Sequence, residues 1–276
     1  MTLSERNTFF KAGIIFCALC ILFILVISFL IIPLYQTDLG GERRSAGFFQ
    51  IFTSYFLNNN YYAVHTTLIM TVLFSFIGMM LIHYYFERTS APEILYIAIF
   101  TISFSFEVIR LVLPMQYIFI FPSFYLRITS RILLFARFFG IFSLFAAGIC
   151  AAGLEVQKTR NVLFMVIIAA LIITLSVPID VLNWDTSFNI INGYVSMFRM
   201  IELAVIITTL ISFLIASKIR DSKEYVFAAV GSILALTGRN ILLNTDNWVG
   251  PVIGILSLSI GTWFLCSKIH KIHLWL

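Results

Sequence analysis

Eight separate runs of about 20 apolar residues set what this chain can become, near residues 12 to 34, 62 to 83, 93 to 114, 128 to 153, 161 to 179, 194 to 217, 225 to 243 and 249 to 267. A run of that length matches the roughly 30 Å hydrocarbon core of a bilayer at helical rise. The expected fold class is therefore all-α integral membrane, a polytopic helical bundle with eight transmembrane helices. Residues 1–61 read as an N-terminal anchor helix with an outer interfacial segment, and 62–276 as a seven-helix transmembrane bundle with a short cytoplasmic tail. Arg6 and Lys11 precede the first run as they would a signal peptide's apolar region, but the run is too long and lacks a small-x-small site before Tyr35. It is expected to stay as a span.

Composition narrows the function. With 61% hydrophobic and 11% charged residues among 276, the connections between spans have no room for a soluble domain of about 100 to 200 residues, so a fused kinase, cyclase, nuclease or ATPase is excluded. The net charge of +5 is spread over loops and spans, not gathered on one face, which argues against nucleic acid. Cys17, Cys20, Cys150 and Cys266 all fall in or beside apolar segments, where a thiol packs as a small hydrophobe. Cys17-x-x-Cys20 has no second pair, His270-x-x-His273 has no further ligands, and no helix carries H-E-x-x-H. No metal, no cofactor and no catalytic residue is expected. The absence of a lysine in the middle of the last spans excludes a retinal Schiff base.

Basic residues set the orientation. Ten of them, Arg6, Lys11, Arg88, Lys158, Arg160, Lys218, Arg220, Lys223, Lys268 and Lys271, fall on one side of an eight-span path, and three, Arg43, Arg44 and Arg127, on the other. That bias predicts a multi-pass protein of the bacterial inner (cytoplasmic) membrane with both termini cytoplasmic. Asp38, Glu42, Asp185 and Asp246 then lie outside, with Trp184 and Trp248 at belt level. Two aromatic outer connections, Gly47 to Leu57 and Pro114 to Leu126, suit an apolar lid over the outer face. Gly250, Gly254, Ser257 and Gly261 form a small-residue stripe on the last span, read as close packing inside the bundle, with a homo-oligomer seam as the alternative.

The remaining five basic residues, Arg110, Arg131, Arg137, Arg199 and Arg239, lie inside predicted spans. Each costs about 2.5 to 3.5 kcal/mol at a helix centre before pairing. From the orientation, all five occupy the outer half. Glu107 lies three residues before Arg110, and Glu202 three after Arg199, so each pair shares a helix face; Asp180 ends the fifth span at a similar level. Five positive against three negative charges leave an excess that invites an anion. Asn240 and Asn244 on the Arg239 helix, Asn183 and Asn192 at the rim and His65 at the entry of the second span complete an outward-opening polar chamber. The ligand-binding set expected is Arg110, Arg131, Arg137, Arg199, Arg239, Glu107, Glu202, Asn240 and His65. The other account of Glu107 with Arg110, and of Arg199 with Glu202, is an ionic network that only fixes helix register.

The layout of an anchor, a short outer segment and seven spans, with stretches such as FEVIRLVLP (106 to 114) and RILLFARFFGIFSLFAAGICAAG (131 to 153), resembles the membrane part of bacterial seven-transmembrane receptors with diverse intracellular signalling modules. The resemblance covers roughly residues 62 to 268 and departs in its outer segment of about 25 residues and in having no output domain within the sequence. It implies a receptor-like sensor that binds a small anionic ligand or an anionic membrane lipid and signals through a partner protein. An anion transporter or channel, and a lipid-modifying membrane enzyme, are the alternatives; repeats and broken midplane helices would mark the former, and a nucleophile or metal set the latter. The sequence displays none of these.

Overall fold

The computed structural model describes residues 3–38, 59–87, 91–116, 119, 121–153 and 159–274, with side chains at 32–38, 180–183, 190–192 and 273–274 left aside. Asp38, Glu42, Arg43, Arg44, the 47–57 segment, Arg88, Lys158, Asp180, Asn183, Asn192 and His273 therefore lie outside what is described. Eight helices are long and apolar enough to cross a membrane: α1 (Leu3–Asp38), α2 (Tyr61–Phe86), α3 (Pro92–Met115), α4 (Ser123–Ala151), α5 (Thr159–Ser176), α6 (Val195–Ile219), α7 (Glu224–Asn244) and α8 (Val249–Leu274). The chain is an all-α, multi-pass membrane bundle.

Local chemistry sets the helix ends. Asn60 caps α2 by accepting a hydrogen bond from the Tyr62 amide through its side chain, and Pro92 opens α3 at the position where a missing N–H costs nothing. Within α3 the winding changes: Pro92–Ser103 is α-helical, Phe104–Leu111 is a 3-10 helix, and Val112–Met115 closes with an α turn. This span is the hub of the bundle, with most of its apolar window buried, whereas α5 and α6 bury only 22% and 17% of theirs and lie at the periphery facing lipid.

Between α5 and α6 the chain makes a small antiparallel hairpin, β1 (Ile179–Trp184) with β2 (Ile190–Asn192), which hydropathy did not foretell. Its turn, Asp185 to Asn189, folds back over the end of the bundle where α2 begins and α7 ends. Phe188, with φ of 56°, stacks on Tyr61 at 5.9 Å, and Thr186 donates to the Asp246 carboxylate at 3.1 Å. Asp246 in turn accepts the Asn60 amide at 2.8 Å through its carbonyl. Of the segment 114 to 126, Pro114 and Met115 end α3, and Ser123 to Leu126 begin α4.

The anchor α1 packs along α2 and the 3-10 stretch. Cys17, Ser75 and Ser105 meet in a buried polar knot, Ser105 donating to Ser75 at 2.8 Å with the Cys17 sulfur 3.2 Å from the same hydroxyl, while Arg6 donates to the Phe86 carbonyl at 2.8 Å. The glycine stripe of α8 lies against α7: Gly261 faces Gly231 and Ala235, and Gly254 faces Gly238. It serves packing inside the bundle.

Candidate functional site

The 3-10 stretch positions the centre of the site. With three residues per turn, residues i and i+3 eclipse, so Glu107 and Arg110 stack in one line, Arg110 Nη1 3.5 Å from Glu107 Oε2. The dominant bond to Glu107 comes from another helix. Arg137 of α4 lays its fork on the carboxylate, Nε to Oε1 at 2.8 Å and Nη2 to Oε2 at 2.7 Å. This bidentate geometry is the strongest an arginine makes with a carboxylate. Glu107 and Arg110 are both 2% exposed.

The remaining donors turn to the hairpin. Arg110 Nη2 donates to the Ser187 carbonyl, and Arg137 Nη2 donates to Asn189 Oδ1 at 2.8 Å. Asn189 is itself held, its amide donating to Ser187 Oγ at 2.9 Å and to the Leu243 carbonyl at 3.0 Å. Asp185 in the same turn acts electrostatically on Arg110. On α7, Arg239 is 3.5 Å from Glu202 of α6, donates to Asn240 Oδ1 at 3.1 Å and reaches the Arg137 carbonyl at 3.4 Å. Five elements, α3, α4, the hairpin, α6 and α7, thus converge on one ionic network.

The network gathers Arg110, Arg137, Arg239, Glu107, Glu202 and Asn240 from the set read in the sequence, and leaves out three. Arg199 is exposed at the start of α6 and, among the described residues, has no carboxylate partner; Glu202 turns from it to Arg239 because that guanidinium is buried and the Arg199 head reaches the interface. Arg131 donates to the Leu175 carbonyl at 3.2 Å, satisfying an end of α5. His65 bonds Ser28 of α1 at 2.7 Å, in the contact between α1 and α2. Among the described residues, the space beside Arg110, Arg137 and Asn189 is a cavity of about 20 Å³, room for a single water. Among the described residues, three arginines stand against three carboxylates, Glu107, Glu202 and the nearby Asp185, which leaves no surplus of charge.

A second buried charge sits at the opposite end of the bundle. Glu93, in the first turn of α3, is 0% exposed and lies 3.8 Å from Arg220 at the end of α6. Arg220 also reaches the Cys150 carbonyl at 3.4 Å and stands 5.5 Å over the Tyr225 ring, and nearby Tyr96 donates to the Thr159 carbonyl at 2.8 Å. The ends of α3 to α7 are thereby joined. Arg220 is 29% exposed and can rehydrate, whereas the Glu93 carboxylate cannot. Arg220→Gln is therefore expected to lower thermal stability more than Glu93→Gln, since the first removes a partner of the carboxylate that water cannot reach. Melting of the two variants in detergent measures it; equal losses would show that the pair does not carry the contact.

No protein family's sequence profile matches the chain. It is 20% identical to an uncharacterized protein of Treponema pallidum (strain Nichols) in an alignment of 239 residues that takes in 69% of each chain.

Proposed function

We propose that the chain is a receptor-like integral membrane module, in which a small anion or the anionic headgroup of a lipid binds the outer ionic network and the change passes to a partner protein at the cytoplasmic turn holding Lys218, Arg220 and Lys223. The observation that carries this reading is the hairpin's place in the network. Two guanidiniums, Arg110 and Arg137, complete their forks on neutral oxygens of the hairpin turn, Ser187 O and Asn189 Oδ1. A carboxylate or phosphate makes stronger, charge-assisted bonds to the same donors, so an arriving anion exchanges with the turn and frees the hairpin that links α5 to α6. The ligand shifts the equilibrium by the difference between its bonds and those it displaces.

The ten basic residues on one side support termini in the cytoplasm of the inner membrane, with the hairpin outside. Inorganic phosphate is the probe. Thermal melting of the purified protein should rise with phosphate, and Asn189→Ala, which removes one displaced bond, should lower the phosphate concentration needed by about tenfold, the scale of 1.4 kcal/mol for a bond to a charged group. Arg137→Gln should abolish the response. In sealed right-side-out vesicles, external phosphate alone should act. If neither phosphate nor a short-chain carboxylate moves the melting of wild type or Asn189→Ala, the network is a scaffold and the receptor reading falls; a response to internal phosphate would reverse the orientation.

A further inference from the structure

The ionic network leaves one strong donor over. Arg110 is buried; its Nη1 is spent on Glu107 and its Nη2 on the Ser187 carbonyl. Its Nε–H, also buried, meets no acceptor among the described residues. A buried donor of this kind calls for a partner. Arg110 also lines the cavity of about 20 Å³ beside the hairpin turn. The other polar groups around that space are Arg137, Thr129 and Ser130 of α4 and Asn189 of the turn, and the rest is apolar side chains of α3 and α4 with Phe188. Among the described residues no carboxylate lines it.

We propose that this cavity is a halide site, in which a chloride ion accepts the Arg110 Nε–H and draws the Thr129 and Ser130 hydroxyls toward itself. Charge selects an anion over water. The network balances as a whole but not at this point: two guanidiniums line the space, and among the described residues the carboxylate they share is Glu107. Glu202 stands on Arg239, and Asp185 is exposed, where water screens its charge. One positive charge is thus left at the cavity, in surroundings that solvate it poorly. A water accepts the Nε bond and leaves that charge standing; chloride, little larger, neutralises it. The hydroxyls can turn without stranding a carbonyl. Ser130 donates to the Leu126 carbonyl at 2.6 Å and Thr129 to the Tyr125 carbonyl at 2.9 Å, each four residues back, where the amides of α4 already bond the same oxygens. Hydroxyl hydrogens rotate to suit the acceptor on offer. The ion uses neither of the donors through which phosphate is proposed to displace the turn, Arg110 Nη2 and Arg137 Nη2, so it is held with the hairpin closed.

Radiolabelled chloride is the probe. Full-length protein purified in detergent, with gluconate as the other anion and no phosphate, should bind one chloride per chain saturably, and bromide should displace it. Thr129→Val combined with Ser130→Ala removes both hydroxyls and leaves both carbonyls bonded. It should raise the chloride needed for half-saturation about tenfold, the scale of hydrogen bonds to a charged group, with melting in gluconate within a few degrees of wild type. Arg110→Gln should bind none. Arg199→Gln, on an exposed side chain away from the cavity, should bind as wild type does. Folded wild type without saturable binding gives the cavity to water and overturns the proposal. So does a folded double variant that keeps wild-type affinity, or an Arg199→Gln variant that loses it, since the ion then sits elsewhere. Phosphate is absent throughout, so the outcome is independent of the receptor reading.

Discussion

Glu107→Gln lowers thermal stability more than any other single change in the ionic network. The carboxylate accepts both bonds of the Arg137 fork and neutralises Arg110 beside it. With an amide in its place two buried guanidiniums share one neutral oxygen, and breaking a buried pair from one side costs about 3 to 5 kcal/mol. The double variant Glu107→Gln with Arg137→Gln removes one stranded charge with its partner and should recover a large share of the loss. Arg199→Gln, on an exposed side chain at the start of α6, should leave melting unchanged. Intrinsic fluorescence melting in detergent measures all three. Strictly additive losses for the double variant would mean that Glu107 and Arg137 do not interact.

The second large effect belongs to the seam between α7 and α8. A Cβ on Gly261 would strike the backbone nitrogen of Ala235 and come within 2.8 Å of the Gly231 carbonyl. Backbone on both sides leaves no side chain to rotate away. Overpacking a core with flexible neighbours costs about 1 to 3 kcal/mol; here Gly261→Leu has to push α7 and α8 away from each other, and the expected loss is at or above the top of that range. Ile253→Leu on the lipid-facing side of the same helix, 51% exposed, is the control and should melt as wild type does. An unchanged melting temperature for Gly261→Leu would mean that the close approach is not made. In a bilayer this approach matters more than in water, because lipid is as apolar as leucine and helices associate through van der Waals contact.

The spans were legible because hydrocarbon imposes a length and a composition that no loop shares; all eight appear within a few residues of where hydropathy put them, apart from early starts of α1 and α4 and a late end of α8. Charge pairing was legible only along a helix. Spacing of three correctly joined Glu107 to Arg110, and the same spacing misled for Arg199 and Glu202, because it says nothing of how a helix is turned toward its neighbours. The bidentate bond from Arg137, and Glu202 with Arg239, depend on that turn. Glu93 follows Pro92 at a span end, and nothing local in the sequence marks it as buried. The hairpin was hidden for a similar reason, being two short strands between spans whose ordering comes from Arg110 and Arg137 reaching up to it.

The change of winding in α3 makes that span longer than an unbroken α-helix of the same residues. Eight residues in 3-10 form cover about 16 Å, against about 12 Å as α-helix, and their twist differs by about 20° per residue, near half a turn in all. Rewinding Phe104–Leu111 would draw Pro114 about 4 Å inward while rotating it, as a bolt advances in its thread. The Arg137 fork on Glu107 and the Ser187 carbonyl on Arg110 grip this thread from two sides, so the network sets the reach of the central span as well as its charge balance. Spin labels at Glu87 and Gln116 would read the stroke directly, and a distance that stays fixed when Glu107→Gln releases the grip would show that the thread does not turn.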